Sequence, residues 1–495
     1  MTTTIAQHPS LRRRRAGVLL HPTSLPGDGD AGTLGNDAYY FVDWMVSAGL
    51  TLWQMLPLGP THDDGSPYQC LSAYAGDPRL ISLHKLAERG WLTTEQAKSE
   101  SKLESKRVAL QQAFARWRTV RTVTDTAEFE QFVYAQRYWL DDYALYVALR
   151  EQHKNKCWAD WPAALRDRHE NALHQARARL SNTIEEVKFQ QFVFFTQWHQ
   201  LRKYANEKGV LLLGDVPIFV AYDSADAWSQ RQHFRLNAHG KPLVVAGVPP
   251  DYFSATGQRW GNPLYNWDAM QEDGYQWWIE RIKTNMQMFD VIRIDHFRGF
   301  EAYWEIQASC PTAVEGRWVK APGDDLFATL LRQLGALPLV AEDLGVITDE
   351  VNALRRKYDF PGMKVLQFAF DGGPQNPYLP HNHEIGSVVY TGTHDNDTTC
   401  GWFASLNPQA QSAVREYLGS TTEPMPWPLI TSAYMSVATL AVVPMQDFLS
   451  LDSTHRMNTP GTTQGNWRWR FTWPQVGPHV AVRARRMAEI YGRSQ

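Results

Sequence analysis

Eight short apolar runs, each stopped by glycine, proline or a polar or charged residue, constrain this chain more than any other feature of it. Val18 to Leu20 leads into His21-Pro22, Thr51 to Leu56 into Pro57, Val210 to Leu213 into Gly214-Asp215, and Val291 to Ile294 into Asp295-His296. Leu339 to Ala341 leads into Glu342-Asp343, Met363 to Phe370 into Asp371-Gly372, Val388 to Tyr390 into Thr391-Gly392, and Ala441 to Val443 into Pro444. Runs this short suit strands buried on both faces. Helical spacing lies between most of them, over 39–48, 275–289, 325–334, 350–357 and 408–417. Eight strands alternating with helices predict a (β/α)8 TIM barrel over 10–495, with a doubly wound open sheet as the alternative.

Two connections are too long for a simple crossover. Residues 84–209 carry helical spacing, as in Leu140, Tyr143, Ala144 and Val147, and predict a helical subdomain inserted between strands two and three. Residues 221–274 are rich in aromatics, Gly and Pro and predict an insertion that forms part of a cleft over the barrel mouth. A length of 495 residues accommodates one large barrel with such insertions.

A net charge of −3 gives no electrostatic case for nucleic acid or an anionic membrane surface. The basic run Arg12–Arg15 is followed by an apolar stretch that already stops at His21-Pro22, too short for a signal peptide. Cys70, Cys157, Cys310 and Cys400 are scattered and form no C-x-x-C pair, so neither a disulfide framework nor a zinc site is expected, and a reducing cytoplasm is the simplest location. Twenty tryptophans are unusual. A flat apolar ring that can also donate a hydrogen bond matches the C–H face of a sugar, although much of this content must serve the core.

Acids cluster after the runs: Asp215, Asp295, Glu342 with Asp343, Asp371, and Asp395 with Asp397. Strand ends of a barrel converge on the face where its active sites sit. Single acids there often cap helices, but so many held close together would repel and raise one another's pKa. Two chemistries use such a cluster: glycosyl transfer by paired carboxylates, and a metal site built from Asp, Glu and His. Arg293, two residues before Asp295, lies on the same side of a strand, where it would hold that carboxylate ionised and compete with a metal. The surrounding Trp and Tyr favour a sugar.

The chain resembles the 4-α-glucanotransferases of the amylomaltase, or disproportionating, type. The motifs that carry the resemblance include His21-Pro-Thr-Ser-Leu-Pro26, Trp53-Gln-Met-Leu-Pro-Leu-Gly-Pro60, Ser66-Pro-Tyr-Gln69, Gly214-Asp-Val-Pro-Ile218 and Trp260-Gly-Asn-Pro263. They continue through Arg293-Ile-Asp-His-Phe-Arg-Gly299, Ala341-Glu-Asp-Leu-Gly345, Gly392-Thr-His-Asp-Asn-Asp397 and Asn458 to Gly461. The resemblance implies a barrel without a C-terminal β domain. It also implies transfer of a 1,4-α-glucan segment to the 4-hydroxyl of an acceptor, with malto-oligosaccharides and α-1,4-glucans as donors and glucose or malto-oligosaccharides as acceptors. No cofactor or metal is implied. Asp295 would be the nucleophile of a retaining double displacement, Glu342 the acid/base and Asp395 the third carboxylate. Arg293, His296 and His394 would hold the nucleophile and the reacting sugar. Ser66, Tyr68, Asp215, Trp260 and Asn458 would line donor subsites, Asp371 would lie nearer the acceptor, and Tyr252 and Phe253 would form a lid.

Rival readings are an α-glucan hydrolase on the same scaffold, a metal hydrolase using His394-Asp395, and a non-catalytic sugar-binding protein, which would not need Arg293, Asp295, Glu342 and Asp395 together. Gly27 to Gly32 fits G-x-G-x-x-G, but Asp28 and Asp30 would face a pyrophosphate and no helix opens after it, so a dinucleotide site is not expected.

Overall fold

Every one of the eight apolar runs supplies a parallel strand. They are β1 (Arg15–Leu19), β2 (Leu52–Gln54), β3 (Leu211–Pro217), β4 (Val291–Asp295), β5 (Leu339–Ala341), β6 (Gly362–Val365), β7 (Ser387–Tyr390) and β8 (Leu440–Pro444). The computed structural model describes residues 7–27, 29–98, 103–250, 254–419 and 422–494. The strands pair in the order β6-β7-β8-β1-β2-β3-β4-β5. The seam between β5 and β6 is drawn together by the Ala341 N–H donating to the Pro361 carbonyl at 2.8 Å. Asp343 adds to it: its carboxylate accepts from the Met363 N–H at 2.6 Å and lies 3.2 Å from Nε of Arg355. A side chain at residue 362 would put its Cβ 2.3 Å from that carboxylate, so glycine is required there. The fold is thus a (β/α)8 barrel closed at one edge by a few bonds.

The alternation of strand side chains separates two cores. Leu52, Leu213, Val291, Val340, Met363, Val365, Val388, Tyr390, Leu440 and Val442 fill the barrel interior. Trp53, Leu212, Ile292, Ile294, Ala341, Val389, Ala441 and Val443 point outward and pack under the helices. That two-sided burial is why the runs read as continuously apolar. One run divides differently from expectation: β6 ends at Val365 and a 3₁₀ turn covers Leu366–Phe368. Gln367 there donates to the Asp397 carbonyl at 2.8 Å, a tertiary contact that draws the chain off the ladder.

The expected helices form at Asn36–Ser47, Gln276–Met288, Gly323–Leu334, Asp349–Lys357 and Pro408–Tyr417. Between β2 and β3 the chain runs mainly through the helices Leu103–Val120, Val123–Gln152 and Ser181–Glu207. Their core is aromatic: Trp117 meets Phe129 edge-on at 4.9 Å and lies 5.0 Å from Phe189. Tyr146 and Arg150 of the long helix bond Asp223, tying this region to the stretch after β3.

Sequence reading missed a second sheet. Gln258–Pro263, Val244–Val248, Ala302–Gln307 and Arg317–Lys320 pair antiparallel in that order, so the insertion between β3 and β4 joins a hairpin that follows β4. Two of its strands, Gln258–Pro263 and Arg317–Lys320, are half exposed and polar and leave no apolar run to find. Among the described residues no helix is long and apolar enough to cross a membrane.

Candidate active site

The barrel interior changes character at its carboxyl-terminal end. Below are aliphatic side chains; above them Asp215 on β3 and Arg293 on β4 point inward at paired register positions, with Pro217 opposite Asp295. Arg293 forks between two acids. Its Nη1 donates to Oδ2 of Asp215 at 2.6 Å and its Nη2 to Oδ1 of Asp295 at 2.9 Å, while Nε lies 3.4 Å from the sulfur of Met363. The Tyr68 hydroxyl donates to the same Asp215 oxygen at 2.6 Å. Asp215 is fully enclosed, its side chain 0% exposed, whereas Asp295 keeps 30% of its side chain open. Asp215, expected to line a donor subsite, is bonded by Arg293 and Tyr68.

Burial is the largest influence on Asp295 and raises its carboxyl; Arg293 pulls it back, and Asp215, Glu342 and Asp395 push it up. Because 30% of that side chain is open to solvent, the burial penalty is smaller than full enclosure would impose.

Glu342 follows β5 directly. Its Oε2 accepts from the His296 N–H at 2.7 Å and its Oε1 from the Leu344 N–H at 2.9 Å. The His296 backbone is left-handed, φ 53°, a conformation uncommon for a residue with a side chain; it turns the chain so that this N–H faces Glu342. Burial raises the Glu342 carboxyl, while Arg293 and the two amides oppose it. The His296 ring is pushed down to about 3 by burial and then by Arg298, so it is neutral at ordinary pH. Trp260 stands edge-on to it with ring centroids 4.8 Å apart.

His394 and Asp395 come from the loop after β7. Asp395 is 49% exposed, and its Oδ1 accepts from Nδ2 of Asn458 at 2.7 Å. His394 is buried, its Nε2 3.4 Å from Oδ2 of Asp395, and its ring stacks on Tyr68 at 5.2 Å. Burial lowers the His394 pKa and Asp395 opposes that. The structure thus brings Tyr68, Asp215, Arg293, Asp295, His394, Asp395 and Asn458 together through direct contacts, and Glu342, His296 and Trp260 through a second chain of contacts joined to it along β4. Ser66 supports the Tyr68 turn, its Oγ accepting from the Tyr68 N–H at 3.4 Å. Asp371 is exposed and takes a bond from Nδ2 of Asn376 at 3.3 Å. Tyr252 and Phe253, the expected lid, lie outside the described residues. Among the described residues, no three His, Cys, Asp or Glu side chains converge as metal ligands would.

Sequence reading missed Trp467 and Arg456. Trp467 lies 6.0 Å from both the Tyr68 and the His394 rings and closes this wall with a third aromatic face. Arg456 donates to the Asp395 and Asn458 carbonyls at 2.9 and 3.2 Å. The alternation Trp467-Arg-Trp-Arg-Phe-Thr-Trp473 was the available signal for the tryptophan; nothing local marks the arginine.

Comparison with known proteins agrees along the whole chain. The family model described as 4-alpha-glucanotransferase, glycoside hydrolase family 77, matches residues 20–475. The chain is 49% identical to the 4-alpha-glucanotransferase of Thermus thermophilus, over 97% of this chain and 99% of that protein. It is 46% identical to the 4-alpha-glucanotransferase of Synechocystis, over 98% and 99%. Among solved structures it is similar to an amylomaltase from Streptococcus agalactiae in complex with acarbose, with a TM-score of 0.95, 37% identity, and coverage of 98% of this chain and 100% of that one.

Proposed function

We propose, from the premise that this chain belongs to the 4-alpha-glucanotransferase family, that it moves a segment of a 1,4-α-glucan onto the 4-hydroxyl of an acceptor sugar through a covalent glycosyl-aspartate. Donors would be malto-oligosaccharides and longer α-1,4-glucans; acceptors would be glucose or malto-oligosaccharides. The observation that carries the mechanism is the one-sided grip on Asp295, its Oδ1 bonded by Arg293 while 30% of the side chain stays open.

The other carboxylate oxygen of Asp295 attacks the anomeric carbon, and the proton of Glu342 goes to the departing glycosidic oxygen. The acceptor 4-hydroxyl then gives its proton back to Glu342 and displaces Asp295, so the anomeric configuration is retained. Positive charge that develops on the sugar faces Asp395 and Asp295. Glu342 needs its proton before the first step, and burial favours that form. Each oxygen accepts a single amide, from His296 or Leu344, which leaves a lone pair to carry the proton. Asp395 and Asn458, with the rings of Tyr68, His394 and Trp467, would bind the donor sugar.

The test is incubation with maltotriose, with a chelator present, and separation of products by chain length. Glucose plus oligomers longer than maltotriose support transfer. Products no longer than maltose would make the protein a hydrolase, and no change would refute the reading.

A further inference from the structure

The loop that carries His394 and Asp395 is held from below by an acid that the mechanism does not use. Asp447 follows β8 in the short helix Met445–Phe448 and is 1% exposed. Its Oδ2 accepts from the hydroxyls of Thr391 at 2.6 Å and Thr399 at 2.7 Å, and its Oδ1 from the Thr399 N–H at 2.8 Å. Thr391 is the first residue after β7, and Thr399 opens the helix Thr399–Ser405. One carboxylate therefore grips both ends of the loop. Within the loop, Oδ1 of Asn396 accepts from the Thr393 N–H at 2.9 Å and hydroxyl at 2.8 Å. Gln367 and Arg456 hold the carbonyls of Asp397 and Asp395.

A buried carboxylate whose bonded partners are two hydroxyls and an amide is costly to keep ionised: burial raises its carboxyl, and the three donors oppose that. A hydrophobic residue would serve simple packing at less cost. The cost is justified if the bonds fix something whose position matters, and what they fix is the pair of hinges from which Asp395 projects.

We propose that Asp447 is a positioning residue, a clamp that sets where the loop after β7 presents His394 and Asp395 to the sugar. The proposal rests on the reading of Asp395 as a carboxylate that supports the transition state. Asparagine can keep the geometry, because its carbonyl can accept from the Thr399 N–H while its amide donates to the two hydroxyls, which rotate to accept. Alanine cannot. A loop end released by about 1 Å costs on the order of a hundredfold in rate.

The experiment compares Asp447→Asn, Asp447→Ala and Asp395→Asn, measuring maltotriose disproportionation, thermal unfolding and circular dichroism. Asp447→Ala is expected to lose about 10- to 100-fold in kcat with KM changed less than about threefold. Asp447→Asn is expected to stay within about threefold of the parent in both. Where Asp447→Ala does not fold, Thr391→Val removes the anchor next to β7 and takes its place, with Thr391→Ser as the variant that restores activity. Full kcat in a folded Asp447→Ala beside an inactive Asp395→Asn would overturn the clamp and leave the reading of Asp395 standing. Loss of kcat in Asp447→Asn equal to that in Asp447→Ala would overturn it too, since charge rather than position would then matter. Turnover in Asp395→Asn would overturn both.

Discussion

Replacing Arg293 by lysine tests the centre of the site, because it keeps the charge and removes the fork. The guanidinium bonds two carboxylates at 2.6 and 2.9 Å; an ammonium can serve only one of them well. Which acid loses its partner follows from exposure. Asp215 has 0% of its side chain exposed and has no solvent to fall back on, whereas Asp295 has 30%. The lysine therefore stays with Asp215, and Asp295 is released. A hydrogen bond to a charged group is worth about 1.5–3 kcal/mol. Lost from a transition state, that is roughly a 10- to 150-fold drop in kcat/KM. The pH profile moves as well. Arg293 opposes the upward push on the Asp295 carboxyl, so releasing it raises that pKa further. A nucleophile works ionised, and activity is lost as pH falls through its pKa; the acid limb of kcat/KM thus shifts to higher pH in Arg293→Lys. The assay is maltotriose disproportionation over a pH series, with circular dichroism to establish that the variant is folded. Activity within about threefold of the parent and an unmoved acid limb would refute the reasoning.

Asp295→Asn and Glu342→Gln should fold normally, by circular dichroism and thermal unfolding, yet lose at least about a hundredfold in kcat, the scale of general acid–base assistance. In the unmodified protein both carboxyls are raised by burial. The profile should therefore be a bell whose acid limb, where Asp295 takes up a proton, and alkaline limb, where Glu342 loses one, both lie above the usual carboxylate range; kcat/KM against pH checks this. Trp467→Ala removes a ring 6.0 Å from Tyr68 and His394; at about 0.5–1.5 kcal/mol for an aromatic contact, KM for maltotriose should rise about 2- to 12-fold, with a smaller change in kcat. Asp343→Ala leaves Arg355, itself 5% exposed, beside the open seam. Arg355 keeps Glu384 at 3.3 Å, so chemical denaturation should read a loss of about 1–3 kcal/mol, the cost of a lost buried hydrogen-bond partner.

The barrel was legible because its strands are buried on both faces and so stand out as apolar runs; Val291 and Ile292 are both 0% exposed although they point to opposite sides. The antiparallel sheet was not, because strands such as Arg317–Lys320 lie half in solvent and carry charges that read as loop. At the site, Arg293 and Asp295 were legible as a same-side pair, and in the structure Asp295 takes one arm of the Arg293 fork. The partner across the fork, Asp215, required the β3–β4 register, which lies 78 residues away in sequence and leaves no local trace. Trp467 and Arg456 arrive on a long segment after β8 whose path over the barrel mouth no periodicity describes.

The crowd of acids at the strand ends looks in sequence like one electrostatic cluster, but the fold divides it by direction. Glu342 and Asp343 are neighbours on alternating sides. Glu342 takes the inward side and meets the amides of His296 and Leu344, while Asp343 turns to the seam and bonds the Met363 N–H and Arg355. Asp395 and Asp397 divide likewise: the first stands 49% exposed against Asn458, and the second is tied to the Ser453 hydroxyl at 2.7 Å. Asp215 lies under Arg293, and Asp447 lies under the loop after β7. In the proposed mechanism Asp295, Glu342 and Asp395 act on the sugar, while Asp215, Asp343, Asp397 and Asp447 bond the elements around them. Donors offset part of the repulsion among these carboxylates: Asp343, Asp397 and Asp447 each have their own, whereas Asp215 and Asp295 share Arg293. That arrangement makes a separable prediction for the two classes: neutral isosteres of the inward acids should remove activity and spare the fold, whereas alanine at Asp343 or Asp447 should disturb stability or geometry first and chemistry only as a consequence.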